Sequence, residues 1–340
     1  MRSRGVVGVL AVLIISAGCG GDTSATGKRT AAKSGESKPA KSTYRIAVIP
    51  KGPTHDFWKS IHAGALKAQQ ELGNVEVLWN SGPNERDSAK QIEVVENFIT
   101  QGVDAIVLAP TDKTALVAPI LAARRKKIPV VIIDSGLATK EIDSYVATDN
   151  FNGGKLAAKE LAKQLGEKGE VAVLRYMVGS DSTEQREAGF LEAIKEFPNI
   201  KVVSENQYAG ATESDALRAA ENMLTGMKGV NGWFCPCEPV TAAVVKALDS
   251  QGLGGKVKVV GFDAGSSIIP SFKSGKIHAL ILQDPVNMGY LGVKTAMDLI
   301  QGKKVEARVG TGETVVTAAN FDDPRVKELH SPDLKKYLKE

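Results

Sequence analysis

The sequence predicts an α/β protein made of two similar doubly wound parallel-sheet lobes. Short apolar runs rich in β-branched residues, typical of strands buried on both faces, alternate with stretches that repeat apolar residues at helical spacing. Polar residues or Gly and Pro follow the strands, and the alternation restarts near residue 151. A β-α-β-α order specifies a right-handed parallel sheet, and a chain of 340 residues is long enough for two such domains.

The first lobe is predicted to begin near residue 44. Its first strand, at residues 46–49, leads into a Pro/Gly turn and then into a helix whose apolar stripe begins at Phe57. A strand that ends in polar groups and aromatics builds one wall of a pocket. The other strands of this lobe are predicted at residues 75–79, 105–112, 129–134 and 145–150.

The second lobe repeats the pattern after a long helix that opens near residue 151. A strand at residues 279–283 then leads back to the first lobe, which a helix at residues 287–301 and a strand around Val315 are predicted to complete. The strands of the second lobe are predicted at residues 171–175, 202–205, 232–235 and 257–263. The predicted divisions are residues 44–148 plus about 284–316 for the N-terminal lobe, 149–283 for the C-terminal lobe and 317–340 for a charged tail.

The first 18 residues predict an export signal. Arg2 and Arg4 precede an apolar run at residues 6–15, and small residues then lead to Cys19. The run is too short to span a bilayer. The Ser-Ala-Gly-Cys end resembles a bacterial lipobox, which implies acylation of Cys19 and a protein anchored to a membrane without spanning it. Secretion without a lipid is the alternative.

Residues 19–43 predict a flexible tether, because they are rich in Gly, Ser, Thr, Ala and Lys and contain no large apolar residue. The formal net charge of +4 is concentrated in this tether and in the export signal, so the rest of the chain is close to neutral. This distribution gives no basic patch that would indicate binding to nucleic acid.

Cys235 and Cys237 are the only cysteines besides Cys19, and their spacing does not match the usual zinc motifs. We expect two free, partly buried thiols, with a strained disulfide or a metal site as the alternatives.

The sequence contains no motif for catalysis or for a cofactor. It lacks the phosphate-binding glycine motifs, the Gly-x-Ser-x-Gly turn of hydrolases and the His-Glu-x-x-His zinc motif. His55 and His62 could approach each other across two helical turns, but no carboxylate or thiol stands at ligand spacing beside them. We therefore expect no catalytic residue, no metal and no cofactor.

Polar side chains instead follow most of the predicted strands. Planar groups such as Asp, Arg and Gln can each bind two adjacent hydroxyls, while aromatic faces can cover the C–H surface of a sugar. A polyhydroxylated ligand would offer hydroxyls to the planar polar groups and C–H surface to the aromatics. Any one of these residues could instead simply cap a helix. The strand-end residues are Lys51, His55, Asp112, Asp134, Asp149, Asn150, Arg186, Glu238, Asp263 and Gln283.

Four short motifs carry a family resemblance. They are Pro-Thr-Asp at residues 110–112, Ala-Thr-Asp-Asn-Phe-Asn-Gly-Gly at 147–154, Arg-Glu-Ala-Gly-Phe at 186–190 and Val-Gly-Phe-Asp at 260–263. In this order and spacing the chain resembles the type I periplasmic sugar-binding proteins of ABC importers, close to the ribose-binding group, over about residues 44–316. The resemblance implies two lobes on a three-strand hinge, with crossings near Asp149, near Gln283 and at residues 310–316.

The resemblance also implies a set of ligand contacts. In the family a polar residue and two aromatics that sandwich the sugar occupy the first strand-helix turn, which places His55, Phe57 and Trp58 there. Packing in the lobe core is the alternative for Trp58. The other positions that match the family's ligand-binding residues are Asp134, Arg186, Asp263 and Gln283.

Several positions depart from the ribose binders. Ala109 and Ser135 stand where Asn and Arg are usual, and the Asn-Asp-Glu turn is replaced from Cys237 onwards. Lys51 stands where a small polar residue is common, and it either contacts an anionic or electron-rich ligand group or is solvated at the cleft rim. We include Lys51 and Cys237 among the expected ligand-binding residues and leave the sugar unassigned.

These features predict an extracytoplasmic solute-binding protein that captures a monosaccharide or polyol by cleft closure and delivers it to ABC permease subunits. We expect a monomeric lipoprotein in the periplasm or at the cell surface. A sensory protein that presents a sugar-like ligand to a membrane receptor or kinase is the alternative. An exported enzyme is disfavoured by the lack of a nucleophile-base pair, and a DNA-binding repressor is excluded by the export signal.

Overall fold

The computed structural model describes residues 41–53, 55–227 and 229–338. The predicted signal peptide, the lipidation site Cys19 and the tether up to residue 40 lie outside this range and stay predictions. The strands, in chain order, are β1 (Tyr44–Ile49), β2 (Val75–Trp79), β3 (Ala105–Leu108), β4 (Val130–Ile133), β5 (Ser144–Ala147), β6 (Gly169–Arg175), β7 (Ile200–Tyr208), β8 (Gly232–Cys235), β9 (Lys258–Phe262), β10 (Ala279–Leu282), β11 (Arg308–Gly310) and β12 (Thr314–Val316).

Ten α-helices connect these strands within the described residues, and none of them is long and apolar enough to cross a membrane. The helices are α1 (Asp56–Leu72), α2 (Ser88–Gln101), α3 (Val117–Arg125), α4 (Asn150–Gln164), α5 (Asp181–Ala193), α6 (Glu213–Gly226), α7 (Glu238–Ser250), α8 (Ile268–Lys273), α9 (Pro285–Ile300) and α10 (Pro324–His330).

The first sheet has the strand order β11-β5-β4-β3-β1-β2, and all of its strand pairs are parallel. β3 and β4 are buried along their whole length, as expected for strands that are covered on both faces. α1 and α9 cover one face, where Ile61 and Met288 share a core. The helices α2 and α3 cover the other face with Phe98 and Ile120.

The second sheet has the order β12-β10-β9-β8-β6-β7, and only the pair of β10 and β12 is antiparallel. α4 and α5 cover one face with Leu161 and Phe190, while α6 and α7 cover the other with Ala220 and Val244. The sheets therefore form two similar doubly wound lobes, and the predicted fold class is confirmed.

The chain passes between the two sheets three times, from β5 to α4, from β10 to α9 and from β11 to β12. Side chains join these crossings. Thr148 Oγ1 donates to Gln283 Oε1 at 2.8 Å, and Arg308 Nη2 donates to the Thr148 carbonyl oxygen at 2.8 Å. The three-strand hinge is thus a hydrogen-bonded unit.

The strand around Val315 was predicted to complete the first lobe, and that placement is wrong. Val315 pairs with Ile281 across the β10–β12 ladder of the second sheet, while the short β11 occupies the edge of the first sheet. The described part of the terminal tail also packs on the second lobe. Phe321 stacks on Phe272 with ring centroids 4.9 Å apart, and Val326 joins the same core.

Glycines allow close contact between the helices that carry the cleft residues. A Cβ at Gly154 in α4 would overlap the carbonyl oxygen of Arg186 in α5, and a Cβ at Gly189 would overlap that of Phe151. The first lobe repeats this arrangement where α1 meets α9. The backbone contact sets the position of Arg186 relative to α4.

We predict that Gly154→Ala lowers the free energy of unfolding by about 1–3 kcal/mol, because the added methyl must push α4 and α5 apart. Urea denaturation measures this change. The matched control is Gly226→Ala at the end of α6, where a Cβ would meet no atom within 4 Å. Equal stabilities of the two variants would contradict the close contact.

Candidate ligand-binding cleft

Loops at the carboxyl ends of strands from both lobes line one shared cleft. The cavity that their side chains enclose is small, with a volume of about 40 Å³. The structure brings all nine expected ligand-binding residues to this cleft: Lys51, His55, Phe57, Trp58, Asp134, Arg186, Cys237, Asp263 and Gln283.

Two other strand-end residues serve local structure. Asp149 caps α4 by accepting a hydrogen bond from the Asn152 backbone N–H at 3.0 Å. Asp112 accepts from the backbone N–H groups of Thr114 and Ala115 in the turn that follows β3. Asp149 therefore shows the helix-capping alternative, whereas Asp112 stabilises a turn.

Lys51 forms a buried ion pair with Asp134, with Nζ 3.0 Å from Oδ2. Its ammonium group also donates to the hydroxyls of Ser180 and Ser182, at 3.3 and 3.1 Å, across the cleft in the second lobe. The lysine side chain is 4% exposed, so the alternative of a solvated rim lysine is wrong. Three N–H donors meet three protein acceptors, which satisfies the ammonium group without a ligand.

Arg186 projects from α5 into the second-lobe side of the cleft. Its Nε donates to Asn150 Oδ1 at 2.8 Å, and its Nη1 donates to the Pro236 carbonyl at 2.9 Å. The guanidinium lies 4.3 Å from the centre of the Phe262 ring and 3.9 Å from an Asp263 oxygen. Nη2 is buried and has no hydrogen-bond partner in the protein. This N–H group is therefore available to a ligand.

Asp263 follows β9 and is held on both oxygens. Gln283 Nε2 donates to Oδ1 at 2.6 Å, and the Glu238 backbone N–H donates to Oδ2 at 3.1 Å. Burial raises the pKa of Asp263, an effect that the Arg186 guanidinium and the two hydrogen bonds only partly oppose. Gln283 also accepts from Thr148 of the hinge, so one side chain joins the hinge to the cleft.

Asp134 and Asp263 share an unusual backbone conformation. Their φ angles are 61° and 68°, in the left-handed region that non-glycine residues rarely occupy. Asp134 comes directly after β4 and Asp263 directly after β9, the equivalent strands of the two sheets. Such strain persists where the surrounding structure requires it, which marks both carboxylates as functional candidates.

Phe57 and Trp58 form an aromatic corner in the first turn of α1. Their rings meet edge to face with centroids 5.0 Å apart and an interplanar angle of 84°. Both side chains line the cleft and also contact the core under α1 and α9, so the two alternatives for Trp58 are not exclusive. The geometry gives the cleft an apolar wall of fixed shape.

Glu85 is a cleft residue that the sequence analysis missed. It lies in the loop after β2, and its carboxylate is close to three donors: His55 Nδ1 at 2.8 Å, Trp58 Nε1 at 2.7 Å and the Tyr176 hydroxyl at 3.0 Å. Burial opposes its ionisation, but the hydrogen bond and charge of His55, together with Lys51, hold the pKa of Glu85 below its ordinary value. Burial lowers the pKa of His55, but the hydrogen bond and the charge of Glu85 raise it. The net effect is a raised pKa.

Cys237 and Glu238 stand at the start of α7. Cys235 and Cys237 are both free, as predicted, and they are buried rather than partly buried. Burial, together with the charges of Asp263 and Asp56, raises the pKa of Glu238 to about 7, although His55 opposes this shift. Glu238 therefore changes its charge near neutral pH.

His62 is not among the residues that line the cleft. Its ring stacks on Trp79 with centroids 4.2 Å apart. Within the part of the chain that the structure describes, no three His, Cys, Asp or Glu side chains are grouped to hold a metal ion.

The comparison with known proteins identifies the family. Residues 46–304 match the family described as periplasmic binding protein domain. The chain belongs to the type I periplasmic sugar-binding proteins. This sugar-binding protein is 30% identical to the ribose import binding protein of Haemophilus influenzae over 281 residues, which are 83% of this chain and 94% of the relative.

Solved structures agree with this family. The carbohydrate transporter solute-binding protein of Agrobacterium radiobacter, in complex with D-arabinose, is 36% identical with a TM-score of 0.82, covering 86% of this chain and 100% of that one. An ABC transporter solute-binding protein of Agrobacterium vitis with bound D-fucose is 34% identical with a TM-score of 0.81, covering 84% and 99%.

The pKa of Glu238 predicts a pH-dependent contribution to stability. Its folded pKa of about 7 lies above the ordinary value of 4.5, so the folded state binds the proton more tightly. The stability that this provides is complete below about pH 4.5 and is lost as the pH rises through 7. Glu238→Gln should therefore gain about 2–3 kcal/mol relative to the wild type between pH 4.5 and pH 8.

Urea denaturation of both proteins at several pH values measures this difference. Glu192→Gln, which changes an exposed carboxylate of α5, is the matched control and should show no such trend. A difference between wild type and Glu238→Gln that stays constant with pH would contradict the assignment.

Proposed function

We propose that the protein is an extracytoplasmic solute-binding protein that captures an uncharged monosaccharide or polyol in the cleft and delivers it to an ABC importer. The observation that carries the proposal is the buried Arg186 Nη2, a donor without a protein partner, on a guanidinium whose Nη1 lies 3.9 Å from an Asp263 oxygen. A donor next to an acceptor matches two neighbouring hydroxyls, each of which can donate and accept.

The apolar wall of the cleft supports a sugar in particular. Phe57 and Trp58 supply aromatic surface, while charged groups line the same space. A pyranose or furanose ring has C–H groups for the aromatics and hydroxyls around its rim for the polar groups. A ligand without hydroxyls would leave Arg186 Nη2 buried and unsatisfied.

The charges in the cleft favour a neutral ligand over a sugar acid. Lys51 is paired with Asp134, and His55 is paired with Glu85. A ligand carboxylate would have to compete with these buried partners, which costs several kcal/mol for each displaced charge. Lys51 therefore acts within the protein, and its contact with an anionic ligand group is not part of the proposal.

Ligand capture proceeds by closure of the two lobes. Both lobes supply cleft residues, and contacts cross between them: Lys51 reaches Ser180 and Ser182, and the Ser182 backbone N–H donates to Ser135 Oγ at 3.1 Å. A ligand that contacts both lobes favours the closed arrangement over the open one by its differential affinity. Closure also excludes water, which strengthens the polar contacts.

The relatives support transport as the role. The protein of Haemophilus influenzae is named for ribose import, and those of Agrobacterium were solved with D-arabinose and D-fucose. We extend this to the present chain as binding rather than catalysis, with an ABC permease as partner. The proposal includes a monomer that a lipid on Cys19 anchors outside the cytoplasm.

We predict that neutral pentoses, hexoses or polyols raise the melting temperature in a thermal-shift screen, because a ligand that binds only the folded state stabilises it by mass action. A ligand at 100 times its Kd adds about 2.7 kcal/mol. Uronic and aldonic acids of matched stereochemistry are the controls and should give smaller shifts. No response to any sugar or polyol, or a preference for the acids, would contradict the proposal.

We predict that Arg186→Lys weakens the best ligand about 10- to 100-fold, because an ammonium group cannot replace the planar donors of a guanidinium. Calorimetric titration measures the affinity. Arg218→Lys, which changes an exposed arginine of α6, is the control and should leave it unchanged. Wild-type affinity in Arg186→Lys would show that Nη2 does not contact the ligand.

A further inference from the structure

We propose that Glu85 is a positioning residue that orients Trp58 and His55 for the ligand and links their orientation to lobe closure through Tyr176. The inference rests on the proposed function of the cleft as a sugar site. It assigns a role to a residue that none of the resemblance motifs contains.

Glu85 holds the ring of Trp58. An indole has one N–H donor, and here it is bonded to Glu85 Oε1 at 2.7 Å. Phe57 meets the same ring edge to face. Together, this hydrogen bond and this aromatic contact hold the ring in one orientation. Without the Glu85 acceptor, the buried N–H would be unsatisfied and the ring could turn to find another partner.

His55 is also held by Glu85. Its Nδ1 lies 2.8 Å from the same Oε1, so one carboxylate oxygen holds both His55 and Trp58. Because His55 and Glu85 each favour the ionised form of the other, the contact is a buried ion pair. The second nitrogen of the imidazole stays available as a donor.

The second lobe contacts Glu85 through Tyr176. Tyr176 follows β6, and its hydroxyl donates to Glu85 Oε2 at 3.0 Å. Its backbone N–H is fixed by Glu187 Oε1 at 3.0 Å, which anchors the residue in its own lobe. Burial and the Glu85 charge raise the pKa of Tyr176, so the hydroxyl stays a donor. This contact joins the two lobes and must break when they separate.

Glu85 thus holds its first-lobe partners with Oε1 and the second lobe with Oε2. The His55 and Trp58 contacts lie within one lobe and persist when the cleft opens. Closure adds the Tyr176 donor, which further stabilises the carboxylate in the position that orients the ring. The aromatic wall is therefore most firmly held in the closed arrangement.

The test uses Glu85→Gln, Trp58→Phe and the double variant. Glutamine keeps the shape but has one acceptor oxygen and no charge, so it cannot accept from all three donors. In the absence of sugar, we expect Glu85→Gln to change the emission maximum and the acrylamide quenching of Trp58. The Trp58 signal is the difference between each protein and its Trp58→Phe counterpart, which retains Trp79 and Trp233.

With the best sugar of the thermal-shift screen, we expect Glu85→Gln to weaken binding at least 10-fold. In the Trp58→Phe background the same change should cost less than about 3-fold, because one of the side chains it positions is gone. Additive losses, or an unchanged Trp58 signal, would overturn the proposal. Tyr176→Phe should weaken binding in the wild-type background and have little further effect in Glu85→Gln; equal effects in both would remove the closure link.

The control is Glu71→Gln near the end of α1. Glu71 Oε2 likewise accepts from a tyrosine hydroxyl, that of Tyr290 at 2.7 Å, but on the exposed surface. It should change neither the Trp58 signal nor the sugar affinity. If wild type binds no sugar or polyol, the proposed function fails, whereas the fluorescence comparison still shows whether Glu85 orients Trp58.

Discussion

The pairing of buried charge within each lobe is the constraint on which the cleft depends. An ion that loses water without a partner costs several kcal/mol, so a cleft that opens and closes must not separate its ion pairs. Lys51 with Asp134 and His55 with Glu85 lie entirely in the first lobe. The second lobe hydrogen-bonds to these pairs through the hydroxyls of Ser180, Ser182 and Tyr176, while its Glu238 also acts on the charge of His55. Closure can therefore add hydrogen bonds to these pairs without separating their charges.

The second lobe follows the same rule. Arg186 and Asp263 both belong to the second lobe, so they remain near each other when the first lobe moves during opening and closing. The backbone keeps them in place. Gly154 brings α4 against α5 beneath Arg186, and the left-handed conformation of Asp263 turns its side chain off the end of β9. Asp134 does the same at the end of β4, so the repeated fold repeats its local strain.

The hinge is chemically continuous with the cleft. Gln283 accepts from Thr148 at the first crossing and donates to Asp263 in the cleft. A ligand that binds the Asp263 carboxylate therefore changes the environment of Gln283, which is also hydrogen-bonded to Thr148 of the hinge. This gives ligand binding a physical connection to the relative position of the lobes, because hinge residues absorb the change in backbone angles on closure.

The sequence by itself determined the architecture and most of the cleft. Buried strand runs, helical stripes and polar strand ends specify parallel sheets, and each parallel sheet brings its polar residues, such as Asp134 in the first and Asp263 in the second, to its carboxyl-end edge. Only the tertiary structure decided how these groups pair. Glu85 belongs to no motif, and its partner Tyr176 is 91 residues away, so only folding shows that they meet.

The same limit applies to Lys51 and Val315. The sequence left Lys51 either solvated or bound to an anionic ligand group, because the acceptors that satisfy it, Asp134 and the serines near residue 181, come from distant parts of the chain. The sequence placed Val315 in the wrong sheet. A strand of three residues has too short a hydrophobic pattern to show which of the two sheets it joins at the edge. Local patterns specify the elements, whereas pairing across long sequence separations depends on which surfaces folding brings together.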